Sequence, residues 1–119
     1  MVRLTLTDEQ AKIVAEACEF YSRIRIGQFR EIIYKTLERN ELGAKNYCER
    51  RDAAEQRLLA ARAAIYPELH GLGHSYGYGK FEDADRAFDV YQVVRKNFGD
   101  PRGIYTRFDD VPKIERWNK

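Results

Sequence analysis

The stretch from Tyr21 to Leu37, YSRIRIGQFREIIYKTL, contains a change in helical periodicity. Apolar residues follow one helical stripe up to Ile24, but continuing that stripe would require apolar residues at Gln28 and Glu31. They recur instead in a new phase, at Ile26, Phe29, Ile33 and Leu37. Either Gly27 breaks or bends the helix, or one long helix buries two different faces.

The second interpretation leaves an apolar face for which a small single domain has no use, because such a domain has only one core. An interface between identical copies is the commonest use of a surplus face. We therefore predict a homo-oligomer, most simply a two-fold dimer.

A helix is expected before this stretch, beginning at Asp8. Thr7 and Gln10 have the spacing of a capping box, in which each side chain bonds the backbone amide of the other residue. The apolar stripe of this helix consists of Ile13, Val14, Ala17, Cys18, Phe20, Tyr21 and Ile24.

Two further helices are expected after the stretch. Gly43 is typical of a helix end, and the next helix runs from about Ala44 to Tyr66, where Pro67 stops it. Its apolar face consists of Tyr47, Ala54, Leu58, Ala61 and Ile65. A charged, exposed face consists of Glu49, Arg50, Asp52, Glu55, Arg57 and Arg62. The last helix has Asp83 as its N-cap and ends at Gly99.

Both ends of the chain show strand-like alternation. Residues Val2 to Leu6 and Gly103 to Phe108 alternate apolar and polar side chains, which predicts that they pair in a small sheet. The expected fold is therefore mainly α (α+β), with three or four helices and a short two-stranded accessory sheet, in a single domain covering 1–119.

Composition excludes several classes of protein. The chain has 119 residues, 44% of them hydrophobic, which suits one globular domain rather than a disordered tail. Its net charge of +2 makes nucleic-acid binding an unfavoured prediction. It has neither a signal peptide nor an apolar run of about 20 residues, so we expect a cytoplasmic protein that does not enter the membrane. Cys18 and Cys48 are expected to be reduced.

The segment PELHGLGHSYGYGKFE, from Pro67 to Glu82, is the first candidate site, with four of the eight glycines and both histidines of the chain. Glycines free backbone amides to face an anion, and aromatic rings can stack on a base. The predicted ligand-binding residues here are His70, His74, Ser75, Tyr76, Tyr78 and Lys80. The alternative is structural: the glycines permit tight turns while Leu69, Leu72, Tyr76 and Phe81 pack the loop onto the helices.

Arg23 and Arg25 are the second candidate site, forming with Gln28 and Arg30 a polar cluster in a largely apolar stretch. Arginine suits recognition of phosphate or carboxylate. The alternative is that these arginines pair with nearby acids, such as Glu19 or Glu31.

The sequence contains no recognisable catalytic or metal-binding pattern. His70 and His74 have a spacing that chelates zinc on a helix, but the two glycines between them disfavour a helix. No nucleophile or carboxylate pair accompanies the histidines in a known arrangement. We therefore predict that the protein is not an enzyme and has no catalytic residues, no metal and no cofactor.

Three segments resemble a family of small proteins encoded by tailed phages and prophages. They are LTDEQAKIVAEACEFYSRIRIGQF, YPELHGLGHSYG and AFDVYQVVR, and the similarity extends from Leu4 to about Arg95. The resemblance implies a setting in the cytoplasm of an infected bacterium. It also implies an anti-defence role, since small phage proteins often counter host defences.

Three functions are consistent with these features. The leading hypothesis is a non-catalytic protein that sequesters a small nucleotide immune signal between the loop and the arginine cluster. The second is an inhibitor of a host defence enzyme, of the anti-CRISPR type, which docks through Ile26, Phe29, Ile33 and Leu37. The third is a nucleic-acid-binding phage regulator.

Overall fold

The computed structural model describes residues 1–100, 102 and 105–117. Five helices form within these residues: α1 (Asp8–Arg25), α2 (Glu31–Thr36), α3 (Arg39–Leu42), α4 (Ala44–Ile65) and α5 (Glu82–Asn97). The mainly α prediction is confirmed. The chain divides into two compact units, which we call unit 1 (Met1–Ser22 with Phe81–Lys119) and unit 2 (Arg23–Lys80). Whether it behaves as one folding domain stays a prediction.

The beginning of α1 is as predicted. The Thr7 amide donates to Gln10 Oε1 over 3.0 Å, and the Gln10 amide donates to Thr7 Oγ1 over 3.1 Å. These reciprocal bonds satisfy two amides that a helix start otherwise leaves without partners.

Gly27 breaks the helix, which resolves the change in periodicity in favour of the first interpretation. Its φ is 95°, and the amides of Gly27 and Gln28 bond back to the carbonyls of Ile24 and Arg23. A side chain at Gly27 would place Cβ 2.5 Å from Leu69 Cδ1. Glycine is therefore required both for conformation and for space.

Of the second apolar phase, only Ile33 lies in α2, whereas Ile26 and Phe29 lie in the turns before it and Leu37 is its C-cap. Ile33 is only 3% exposed, and Ile26, Phe29 and Leu37 are half-buried. The molecule therefore lacks the wholly surplus apolar face from which a dimer was predicted, and the dimer stays a prediction.

Helix α4 has the predicted bounds to within one residue, and Gly43 separates it from α3 with a φ of 75°. Its predicted faces were wrong at four positions. Ala61 and Ile65 are exposed, whereas Glu55 is half-buried and Arg62, expected on the exposed face, is 3% exposed. The buried face therefore includes a cation, whose partners are described below.

The predicted accessory sheet was wrong, since no strand forms among the described residues. Val2 and Leu4 are exposed, and Gly103 lies outside the described residues. Further along the tail, the amides of Arg107 and Phe108 bond a side-chain carboxylate of α5 instead of a second strand. The chain bends at Arg107 and Asp109, and alternation alone cannot indicate which acceptor the amides of a segment will find.

Helix α5 begins at Glu82, so Asp83 lies in its first turn and is not the predicted N-cap. Its end is as predicted: α5 stops at Asn97, and Gly99 follows with a φ of 83°. None of the helices in the described part of the chain is long and apolar enough to cross a membrane. Cys18 and Cys48 form no disulfide, and burial raises the pKa of the Cys18 thiol.

Candidate functional site

The glycine-rich loop of unit 2 is organised around the guanidinium of Arg62. Arg62 Nη1 donates to the carbonyl oxygens of His74, at 2.9 Å, and Gly27, at 3.4 Å, while Nη2 donates to that of Gly71. A buried charge is costly unless polar groups surround it. Here backbone carbonyl oxygens surround the Arg62 charge, and the same hydrogen bonds fix the conformation of the loop.

Tyr66 and Tyr76 fasten the loop at two further points. The Tyr76 amide donates to the Ile26 carbonyl over 2.9 Å, and its ring meets the edge of Tyr66 with centroids 5.3 Å apart. The Tyr66 hydroxyl accepts from Arg25 Nη1 over 2.9 Å and donates to the Arg25 carbonyl over 2.8 Å. Leu69, near the start of the loop, is 4% exposed. These contacts support the structural interpretation for Leu69 and Tyr76.

Two residues of the predicted arginine cluster, Arg23 and Gln28, bond each other and connect to the loop. Arg23 Nη1 donates to Gln28 Oε1 over 2.9 Å, and Gln28 Nε2 donates to Ser75 Oγ over 3.3 Å. Arg25 bonds Tyr66 as described. The structure thus brings Arg23, Arg25 and Ser75 into networks that hold unit 2 together.

Four predicted site residues remain on the exposed side of the loop: His70, His74, Tyr78 and Lys80. His74 Nδ1 accepts the His70 amide over 2.9 Å, which leaves Nε2 as the donor of the neutral imidazole. Lys80 Nζ lies 4.9 Å from the centroid of the Tyr76 ring. Tyr78 is 51% exposed.

A shallow depression in unit 2 brings together two guanidinium groups among apolar side chains. It has room for about one water molecule. Arg30 and Arg62 both contribute to it, and the Nε atom of each is buried without a hydrogen-bond partner. Arg30 Nη2 also pairs with Glu55 Oε1 at 3.0 Å. The remaining lining residues are Phe29, Leu58, Leu59 and Leu72.

Sequence reasoning assigned Arg62 to the exposed face and gave Arg30 only a secondary place. A signal was present, because Arg62 follows Leu58 by four residues and therefore lies on the same helix face. A charged residue on an apolar helix face can mean that the charge is buried. It can equally mean that the apolar face was assigned wrongly.

The arrangement suits binding of an anion. Guanidinium N–H groups in apolar surroundings bond phosphate or carboxylate oxygens strongly, since water competes less there. A space of about one water molecule admits a single phosphoryl oxygen, while the rest of the ligand stays outside. Among the described residues, no group of three or more His, Cys, Asp or Glu side chains is arranged to hold a metal ion.

Comparison with protein-family models, with curated proteins and with solved structures found no match for the chain. The functional argument therefore rests on the residues of the chain itself.

Proposed function

We propose that the protein is a non-catalytic binding protein that captures a small nucleotide on unit 2. A phosphoryl oxygen enters the depression and accepts from Arg30 and Arg62, and the base stacks on Tyr78. His70, His74 and Lys80 supply further donors on the exposed side of the loop. The observation that carries the proposal is the pair of buried Nε–H donors that have no partner.

The energetics favour a ligand oxygen at that position. A buried donor left without a partner costs about 1–3 kcal/mol, so an acceptor that reaches both Nε atoms recovers part of that cost. Arginine presents its donors in a planar fork that matches phosphate geometry, whereas lysine offers a point charge. The apolar walls exclude water from the bonds once the ligand is seated.

The biological setting is proposed from the resemblance to phage proteins. In the cytoplasm of an infected bacterium, a binding protein of this kind would sequester a nucleotide immune signal. The alternative of a defence-enzyme inhibitor has lost part of the surface proposed for it, because Ile33 is buried and Ile26, Phe29 and Leu37 are half-buried. The nucleic-acid regulator has no basic excess to support it.

Isothermal titration of the whole chain with inorganic phosphate and with a panel of linear and cyclic nucleotides tests the proposal. Arg30→Lys keeps the charge beside Glu55 but removes the Nε–H donor, so it should weaken nucleotide binding roughly tenfold or more. Arg57→Lys, on the exposed side of α4, is the matched control and should bind as wild type does. Tyr78→Ala should also cost about tenfold, which Tyr78→Phe should not.

Two results of these titrations would contradict the proposal. If no nucleotide binds the wild type at millimolar concentration, the proposal is wrong. If a nucleotide binds and Arg30→Lys and Arg57→Lys bind it equally, the site lies elsewhere on the chain.

A further inference from the structure

The charged groups around the depression of unit 2 leave an excess of one positive charge. Arg30 and Arg62 contribute two guanidinium groups, and the carboxylate of Glu55 pairs with the first of them at 3.0 Å. The other lining side chains, those of Phe29 and three leucines, are uncharged. The depression therefore neutralises one negative charge on a ligand rather than two.

The other hydrogen bonds of the two arginines limit what they offer to a ligand. Arg62 Nη1 and Nη2 already donate to three backbone carbonyl oxygens, and Arg30 Nη2 lies against Glu55. The Nε atom is the donor that each arginine keeps buried without a hydrogen-bond partner. Carbonyl dipoles and a carboxylate thus already offset part of the positive charge. A ligand oxygen meets two N–H donors in a site of modest positive potential.

Glu55 is placed to repel a second negative charge on the ligand. A ligand oxygen that accepts from Arg30 Nε shares one guanidinium with the Glu55 carboxylate, so the two anions lie within the range of about 4–6 Å in which one charge affects another. The Glu55 side chain is only 16% exposed, and its charge is therefore screened weakly by water and salt. Each additional negative charge on the ligand increases this repulsion.

We propose that the depression selects phosphodiesters over phosphomonoesters and that Glu55 determines this selectivity, an inference that rests on the proposed function. A phosphodiester carries one negative charge, whereas a phosphomonoester carries about 1.5 to 2 at pH 7. One non-bridging oxygen of the diester enters the depression and accepts from the two Nε atoms. Both ester substituents stay outside it. The ligand class is thus a nucleotide whose phosphate bears two ester bonds.

A matched pair of ligands tests the selectivity on the wild-type chain. Isothermal titration compares each of the four nucleoside 5′-monophosphates with its 5′-methyl ester, which has the same base and sugar but one negative charge fewer. The methyl ester should bind about tenfold or more tightly, because placing like charges together is costly. A monophosphate that binds as tightly as its methyl ester, or more tightly, overturns this inference and leaves the proposed function intact.

The role of Glu55 is tested with the same ligands on a variant. Glu55→Gln keeps an oxygen acceptor for Arg30 and removes only the negative charge. The monophosphate should therefore gain affinity, and most of the preference for the methyl ester should disappear. Glu49→Gln removes an exposed carboxylate from the same helix and should keep the wild-type preference. An unchanged preference in Glu55→Gln overturns the inference, because a contact with the methyl group would then explain it.

A third ligand decides the question if circular dichroism shows that Glu55→Gln is unfolded. A nucleoside 5′-phosphorofluoridate carries one negative charge but no methyl group. It should bind the wild type as tightly as the methyl ester does, and binding as weak as that of the monophosphate contradicts the inference. If none of these compounds binds the wild type, the proposed function and this inference are both wrong. A preference for the monophosphate refutes only the inference.

Discussion

Two segments without regular secondary structure are held in chemically opposite ways. In unit 2, the cation of Arg62 donates to carbonyl oxygens of the loop and of Gly27. In unit 1, the anion of Asp89 accepts backbone amides of the tail. Each buried charge lies on a helix and takes as partners the backbone groups that a strand would otherwise satisfy.

The two arrangements differ in how the partners are spaced along the chain. Arg62 joins Gly71 and His74 to Gly27, which is far from them in sequence, so it connects the loop to the turn that ends α1. Asp89 bonds two successive residues. The first arrangement fixes a tertiary structure, whereas the second recognises a continuous segment.

Of the substitutions considered, removal of the Arg62 cation should lower the free energy of unfolding most. Arg62→Met fills similar space but leaves up to three carbonyls without their donor, so we expect a loss of roughly 2–4 kcal/mol in the free energy of unfolding. Urea denaturation measures it, and hydrogen exchange should accelerate at the amides of His74 and Tyr76. Arg57→Met, on the exposed side of the same helix, should change stability by less than about 0.5 kcal/mol. Equal losses in the two variants would contradict the role of Arg62.

Removal of the Asp89 anion should lower the free energy of unfolding less, because the side-chain oxygen of an asparagine can still accept one of the two hydrogen bonds. Asp89→Asn leaves either the Arg107 or the Phe108 amide without an acceptor, for an expected loss of about 1–3 kcal/mol. Hydrogen exchange should increase at these two amides, and Asp109→Asn, an exposed change in the same tail, should not affect them. Unchanged protection in Asp89→Asn would show that the carboxylate does not hold the segment.

Local signals in the sequence predicted most of the helical fold. The capping box at Thr7 and Gln10, the glycine at 43 and the proline at 67 each act on neighbouring backbone atoms, so their effect can be read from a few residues. The break at Gly27 was one of two open interpretations. The two interpretations are distinguished by the contact between Gly27 and Leu69. Leu69 is 42 positions away, so a local sequence pattern cannot indicate this contact.

The parts of the site that the sequence did not predict depend on backbone partners. Arg62 was assigned to the exposed face of its helix, because most helix charges are exposed, and Asp89 was not singled out. Their partners are carbonyls and amides, which every residue has, so no pairing of side-chain types could indicate them. The same cause explains the missing sheet: residues 107 and 108 alternate as a strand does, but a carboxylate accepts their amides.

The smallest expected effect concerns Asp100, which precedes the tail and also bonds a backbone amide. The Nε and Nη2 atoms of Arg102 donate to its carboxylate, as does the Arg102 amide, and these bonds hold the pKa of Asp100 well below its ordinary range. Because the folded pKa is lowered, the stabilisation is complete above the unfolded pKa of about 4 and is lost as the pH falls through the folded value.

Wild type should therefore have a higher melting temperature than Asp100→Asn at neutral pH, and the two melting temperatures should converge as acid is added. High salt should narrow the difference as well, since Arg102 is exposed and its charge is screened. Thermal melts of both proteins across a pH series measure this, with Asp109→Asn as the control for the loss of one negative charge. An Asp100 carboxyl that titrates near 4 by NMR would show that Arg102 does not hold it, and the contrast between the tail and the loop would then rest on Asp89 alone.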